Sequence, residues 1–498
     1  MPDLKGRVFD VLIIGAGISG IGCACHLKRE LSEKSFAILE ARADLGGTWD
    51  LFKYPGIRSD SDLHTFSYEF KPWSNPNSIA SGEEIMAYLR ETVEEYGLDQ
   101  TINYNHKVVA ASWDSKLARW SLVIETPNER FSVQCRWLFS ATGYYDYDQG
   151  FRPDFKNEAA FTGPLIHPQH WPENFDYTNK RVAVIGSGAT AVTLVPAMAD
   201  SAKHVTQIQR TPTYILSRPS QDKLAKVLHS CLPASWAHAI MRWKNTRLQR
   251  YFYLFCQRFP KQARNLIRKA NKKMLPADYP VEVHFNPPYN PWDQRLCAVP
   301  DGDLFKCLRS GTASIVTGHI DQFEPDGVRL KNGDFIEADA IIIATGLKLK
   351  MLGGIPITVD GMPVSVPNSF VFRGMMLSNV PNYAFAVGYT NSSWTLKVDI
   401  ICKYLCKLIK EMDMQGKEIC VANRPTEGIE ERPLLDFQAG YVKRALHELP
   451  KQGPTYPWEM TLDYMADRRS LSDKPVLDPA LTLSDAIVPA PHLEAEVA

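Results

Sequence analysis

The sequence has no uncharged apolar run of the roughly 18–20 residues that a membrane-spanning helix requires. Its ten cysteines contain no CxxC pair. Cys23 and Cys25 lie two apart and Cys402 and Cys406 four apart, each pair inside an expected helix. They read as buried thiols in a reducing compartment, not as a disulfide framework or a zinc site, so no metal is expected. A charge surplus is also missing: 56 Lys+Arg balance 56 Asp+Glu. A dedicated nucleic-acid binder carries a basic excess, so no nucleic-acid partner is expected. The first twenty residues show no basic stretch followed by a long apolar one and a cleavage site, which predicts a cytoplasmic protein. With 45% hydrophobic and 22% charged residues over 498 positions, the chain is neither disordered, collagenous nor coiled-coil. Its length suits about three domains.

The first strong element is an apolar run, Val11-Leu12-Ile13-Ile14, that meets Gly15-Ala16-Gly17-Ile18-Ser19-Gly20 and then a helical pattern. A second strand, Ser35 to Leu39, ends in Glu40. The plan recurs: Val182 to Ile185 meets Gly186-Ser187-Gly188-Ala189-Thr190-Ala191, and a strand from His204 to Gln209 ends in Arg210. Glycine turn and end-of-strand charge are 25 positions apart in the first unit and 24 in the second. Each unit later reaches a strand closed by Ala-Thr-Gly, at 141–143 and 344–346, and Lys331-Asn332-Gly333-Asp334 is a hairpin turn before the second. The expected fold is α/β, with two Rossmann-like dinucleotide-binding domains.

A G-x-G-x-x-G turn between a strand and a helix sets a diphosphate on unpaired helix N–H groups, and the helix dipole favours the anion. Ala191 takes the third place in the second turn, which the pattern allows. The charged residues assign the ligands. Glu40 accepts hydrogen bonds from ribose hydroxyls and repels a 2′-phosphate, so Gly15, Gly17, Ser19, Gly20 and Glu40 suit FAD. Arg210, beside Thr211, can pair with a 2′-phosphate, so the second turn with Arg210 and Thr211 suits NADPH over NADH. A disulfide reductase would need a redox cysteine pair near the flavin, and none is suitably placed.

Two stretches separate the remaining flavoenzyme classes. One is Gly46-Gly47-Thr48-Trp49 followed by Tyr54-Pro55-Gly56 and Asp60; the other is Phe161-Thr162-Gly163-Pro164-Leu165-Ile166-His167-Pro168-Gln169-His170-Trp171-Pro172. They resemble the two fingerprints of the type I Baeyer–Villiger flavin monooxygenases. The second matches the form F-x-G-x-x-x-H-x-x-x-W-P at every specified position. Residues 54–62, 290–297 and 388–397 further resemble the ethionamide monooxygenase-like subgroup, and the similarity covers nearly the whole chain.

The resemblance implies that NADPH reduces FAD, that O₂ adds to give a C4a-peroxyflavin, and that this attacks a ketone, which rearranges to an ester or lactone. Sulfoxidation is implied as a side activity, so the partners are a small ketone or sulfide and O₂. Arg295 occupies the place of the family arginine that holds the peroxide anionic, and Asp60 that of its aspartate partner. By the same analogy Gly47, Thr48, Trp49, Arg58 and Ser59 lie in the flavin cleft, and Val108 lies against the FAD adenine. His167 and Trp171 read as hinge residues rather than as a catalytic base. Gln294 departs from the lysine that many members carry there, which weakens one NADPH contact. Trp394 reads equally as pocket wall or core, and a helix expected over 397–412 points its N-terminus at the flavin. The alternatives are a flavin N- or S-oxygenating monooxygenase and a flavin redox sensor that does not turn over.

Between the halves of the second unit, residues 223–277 hold thirteen Lys/Arg and no Asp/Glu, so the rest of the chain carries −13. Ile240, Trp243, Leu248, Tyr251 and Phe255 fall near helical spacing. The readings are a helical face closing the substrate pocket, a patch for an anionic membrane surface, or a steering field for NADPH. The expected division is 1–148 and 369–498 for FAD, 149–216 and 285–368 for NADP, and 217–284 for the basic helical insertion. The stretch from Ile487 is expected to be extended or mobile.

Overall fold

The computed structural model describes residues 4–75, 77–425, 428–435 and 439–486, and the stretch from Ile487 lies outside them. The fold is α/β. In the larger sheet, Val8–Ile14 lies between Phe36–Leu39 and Arg130–Ser140, parallel to both, with Ile14 beside Leu39 on one side and Ser140 on the other. Its residues are apolar on both faces because both faces are covered. Val11 and Ile13 point to a core shared with the helices, and Phe9, Leu12 and Ile14 to a core that includes Trp113 and Trp120. Arg119–Glu125 and Lys107–Asp114 extend the sheet antiparallel. Tyr383–Phe385 returns to it, parallel to Arg130–Ser140.

The smaller sheet repeats the plan. Arg181–Ile185 lies between His204–Gln209 and Ala340–Ile343, all parallel, and Ala313–Thr317 and Leu165–Ile166 complete it. The turn at 331–334 does join two antiparallel strands, Gly327–Leu330 and Phe335–Glu337.

The last long helix spans Trp394–Met414, three residues earlier than the apolar pattern suggested, with Ser393 as its N-cap. It packs on Ile18–Glu30, where Cys23 and Cys402 are both buried. Burial pushes both thiols up, so they stay protonated.

Residues 223–273 form three helices, Lys223–Cys231, Ala234–Arg258 and Pro260–Lys273, broken at Pro233 and Pro260. The spacing read from Ile240, Trp243, Leu248 and Tyr251 is helical, but those side chains face outward and are exposed. The buried face of the long helix is instead Ala237, His238, Met241, Arg242, Asn245 and Thr246. Polar residues turn inward because partners wait there. Arg242 donates to Asp399 at 2.7 Å and to the Ser67 carbonyl at 2.8 Å, while Asn245 donates to Asp62 at 2.9 Å. Asp399 also accepts from the backbone N–H of Glu69 and contacts His26, so this buried carboxylate is fully partnered.

Candidate active site

The two glycine turns close in the same way. A Cβ on Gly20 would sit 1.9 Å from the Gly15 carbonyl oxygen, so no side chain fits where the first helix meets its turn. In the second turn Gly186 has φ +146°, and a Cβ there would lie 2.2 Å from the Ala344 carbonyl oxygen. Gly188 differs: a Cβ would meet nothing within 4 Å, which leaves the helix N-terminus open to a ligand. Ala191 is buried in the core beneath.

A cavity lies between the turns. Gly17 and Ser19 line it from the first turn, Gly47, Thr48 and Trp49 from the loop beside it, and Ala189 and Thr190 from the second. Arg58, Ser59, Asp60, Arg295 and Trp394 complete that wall. The loop at Gly47 is held by the Gly46 N–H donating to the Ala16 carbonyl at 2.9 Å. Thr48 and Tyr147 share a hydroxyl hydrogen bond of 3.0 Å.

Asp60 and Arg295, 235 positions apart, meet as a fork: Nε donates to Oδ2 at 2.8 Å and Nη2 to Oδ1 at 2.9 Å. The Asp60 carboxylate holds the guanidinium well above its usual range, against a smaller opposing effect of burial. Asp60 is not a helix cap; Asp62 takes that role for Leu63–Phe66, accepting from the His64 N–H. Arg295 side chain remains 38% exposed although it sits deep in the protein, because it borders the cavity.

Arg58 is fixed by Asp303, at 2.5 Å, from the start of the helix Asp303–Ser310. Ser59 donates its hydroxyl to the Ser61 carbonyl at 2.8 Å. Trp394 is pocket wall: its Nε1 donates to Ser19 Oγ at 2.8 Å and its ring stacks on Tyr144, 5.1 Å between centroids. Tyr389 borders the same cavity and donates to Asp467 at 2.6 Å, and the buried Lys397 ammonium neutralises that carboxylate.

Other predicted residues lie around the cavity and do not line it. Glu40 is buried at the end of its strand, with Oε2 accepting the Ala16 N–H at 2.7 Å and Oε1 the Arg42 N–H at 2.9 Å. Burial pushes its carboxyl up and these two bonds pull it back. Each oxygen keeps a lone pair for a further donor. Val108 is buried on the strand Lys107–Asp114, two residues past His106, whose N–H donates to the Glu40 carbonyl. Ser187 donates to the Thr211 carbonyl at 2.8 Å, tying the second turn to the strand end. Arg210 is exposed and has no carboxylate partner among the described residues. It lies within electrostatic reach of Arg444, whose guanidinium sits 3.4 Å over the Phe151 ring. Arg444, Asp303 and Asp467 carry no local signal in the sequence, whereas Tyr389 lies in the 388–397 stretch.

His167 stands outside the cavity. Its Nδ1 accepts the Gln169 N–H at 3.2 Å and its Nε2 faces the Gly346 carbonyl at 3.3 Å, linking the second fingerprint to the second Ala-Thr-Gly. Burial pushes its imidazole down. Trp171 packs edge-on against Phe175.

Two dinucleotide-binding units facing one another across a cavity with a paired arginine define a flavin- and nicotinamide-type oxidoreductase fold. Comparison with known proteins agrees. The family described as pyridine nucleotide-disulphide oxidoreductase matches residues 12–232. The FAD-containing monooxygenase EthA of Mycobacterium tuberculosis is 47% identical over 483 residues, covering 97% of this chain and 98% of that protein. The probable FAD-binding monooxygenase AlmA of Acinetobacter baylyi is 48% identical over 467 residues, 93% of this chain and 94% of that one. The chain belongs to this family of FAD-containing monooxygenases. Among solved structures, an oxidized steroid monooxygenase bound to NADP superposes with TM-score 0.74 over 96% of this chain and 100% of that one, at 20% identity. A polycyclic ketone monooxygenase from Thermothelomyces thermophila gives 0.76 over 98% and 91%, at 16% identity. The fold is that of the Baeyer–Villiger monooxygenases.

Proposed function

We propose that the protein is an NADPH- and O₂-dependent Baeyer–Villiger monooxygenase that converts ketones to esters or lactones, with sulfoxidation as a side activity. In balance, ketone, O₂, NADPH and a proton give ester, NADP⁺ and water. The observation that carries this reading is the Arg295–Asp60 fork on the wall of a cavity that both glycine turns reach. The cavity also fits a bound group on its own chemistry: Arg58 Nη2 is buried there without a hydrogen-bond partner among the described residues.

FAD is assigned to residues 1–148 and 369–498, through Gly15, Gly17, Ser19, Gly20, Glu40, Gly47, Thr48, Trp49, Ser59 and Val108. NADPH is assigned to 149–216 and 285–368, through residues 186–191, Arg210 and Thr211. Arg444 stands where it can share the 2′-phosphate with Arg210, which offsets the contact that Gln294 does not provide. Residues 217–284 are the insertion.

When bound, the flavin supplies the reduction of O₂ and carries the oxygen atom to be inserted. The chain does the rest. Arg295 presents a permanent cation to an oxygen anion in the cavity and disfavours its protonation. Asp60 holds both guanidinium edges in one plane and so fixes the direction of that field. Arg58, aimed by Asp303, orients the nicotinamide side. Tyr144, Trp394 and Trp49 exclude water with apolar rings. His167 and Trp171 couple the two domains as they shift.

The test is to incubate the flavin-loaded enzyme with NADPH and a mixed ketone, sulfide and amine panel in air and identify products by mass. Esters that carry one added oxygen support the reading. Oxygenated amines or sulfides with no ester from any aliphatic or aromatic ketone would replace it with an N- or S-oxygenase. NADPH turnover with no oxygenated product would replace it with a redox sensor.

A further inference from the structure

The insertion carries a surface that the oxygenation chemistry does not use. Of the sixteen large hydrophobic side chains exposed among the described residues, ten fall between Leu224 and Leu266. Scattered exposed apolar residues need no explanation, but a cluster on one element does. On the helix Ala234–Arg258, Trp236, Ile240, Trp243, Tyr251 and Leu254 recur at spacings of four, three, eight and three, which places them on one narrow stripe. Trp236 is 67% exposed, Trp243 58% and Tyr251 61%. A surface helix ordinarily turns this face to the core and a polar face to water. Here the polar face is buried against Asp399 and Asp62, and the apolar stripe is outside.

The stripe is also cationic. Arg247 and Arg258 fall within it, and Arg247 lies 4.3 Å over the Trp243 ring. On the following helix Lys261, Lys269, Lys272 and Lys273 are exposed and have no carboxylate partner among the described residues. Nothing acidic interrupts positions 223–277. The face adjoins the mouth of a cavity of about 590 Å³, which Leu254, Tyr253, Arg250, Gln249 and Thr246 border from the same helix. Gln249, Asn391 and Ser392 are common to that cavity and to a smaller one that reaches Arg295 and Asp60.

We propose that this helix face docks the enzyme on an anionic lipid bilayer surface, with Trp236, Ile240, Trp243, Tyr251 and Leu254 entering the headgroup boundary and the arginines and lysines meeting lipid phosphates. The chemistry is that of an interfacial helix: aromatic and aliphatic residues together with cations, without acids. No helix among the described residues is long and apolar enough to cross a membrane, so the contact is peripheral. A second copy of the chain is a poorer occupant, because a two-fold interface would set this cationic face against itself. Leu254 belongs to both the stripe and the cavity mouth, so a docked enzyme opens its path to Arg295 toward the lipid; that route rests on the ketone-oxygenase reading, whereas the docking does not.

The experiment is co-sedimentation of the flavin-loaded full chain with phosphatidylcholine vesicles, with and without phosphatidylglycerol, alongside sedimentation velocity without lipid. The expected result is strong binding to the anionic vesicles that weakens as salt rises. Trp236→Ser with Trp243→Ser should lower the bound-to-free ratio by about tenfold or more. Arg247→Glu with Arg258→Glu should lower it by at least about tenfold. Both pairs should keep the flavin content and the NADPH oxidation rate in solution, which separates lost docking from lost folding. Wild-type protein that ignores anionic vesicles, or binds neutral ones equally well, overturns the proposal. So does a dimer in solution that the tryptophan pair abolishes, which would make the face an interface between copies. Ketone turnover is read separately, so a failure of docking and a failure of the chemistry are distinguishable.

Discussion

Replacing Arg295 with alanine tests the chemistry most directly. The guanidinium sits in a cavity walled by Tyr144, Trp394 and Trp49, and its one charged partner there among the described residues is Asp60. An oxygen anion about 4 Å from a unit cation, at an effective dielectric of about 20, gains about 4 kcal/mol. Removing the cation forfeits that attraction. It also leaves Asp60 uncompensated on the same wall, where its charge repels the anion. At 1.36 kcal/mol per decade, about 4 kcal/mol corresponds to a fall in ester formation of about a thousandfold. In the proposed assignment, flavin reduction by NADPH falls to the glycine turns and Arg58, so it should survive.

The assay is therefore two-part. Anaerobic stopped-flow absorbance reads flavin reduction, and product mass reads ester formation in air. The expected variant consumes NADPH and O₂, releases hydrogen peroxide, and yields ester near background. Arg295→Lys should recover part of the yield, because it restores the charge without the fork to Asp60. Ester formation within about tenfold of wild type in the alanine variant would refute the electrostatic argument, since about 1.4 kcal/mol is far less than the field requires.

Two further outcomes follow from charges the flavin side does not use. Arg210→Ala and Arg444→Ala should each raise the KM for NADPH about tenfold and leave that for NADH nearly unchanged, the loss expected for one charged hydrogen bond; an unchanged NADPH/NADH ratio would move the 2′-phosphate elsewhere. His238 concerns stability: it is buried, neither ring nitrogen has a hydrogen-bond partner among the described residues, and burial pushes it down to about 3. The folded state keeps it neutral, whereas the unfolded imidazole protonates below its ordinary value of about 6.5. Stability is thus intact above that pH and falls as pH drops through the window to about 3, by about 2 kcal/mol between pH 6.5 and 5. Urea midpoints measured across that window should flatten in His238→Leu, and an unaltered slope would refute the assignment.

What could be read from sequence followed how far apart the cooperating residues lie along the chain. The strand–glycine–helix units were legible because turn, helix and end-of-strand charge sit at fixed local spacing, and Gly20 and Gly186 are there because a Cβ has no room. Arg295 and Asp60 are 235 positions apart, so no spacing announces their fork, and only resemblance to a family with both residues paired them. Asp303 reaches Arg58 across 245 positions, and Arg444 reaches Arg210 from the far end of the chain, and neither carried a local signal. The insertion misleads for a different reason. Periodicity says which residues share a face but not which way the face points. Arg242 and Asn245 gain more by meeting Asp399 and Asp62 than the tryptophans gain by turning inward, since an uncompensated buried carboxylate is costlier than an exposed ring. That ordering of energies leaves an apolar, cationic stripe on the outside. It also anchors the helix beside the segments that frame Arg295, so the same buried pair that exposes the stripe holds the entrance next to it.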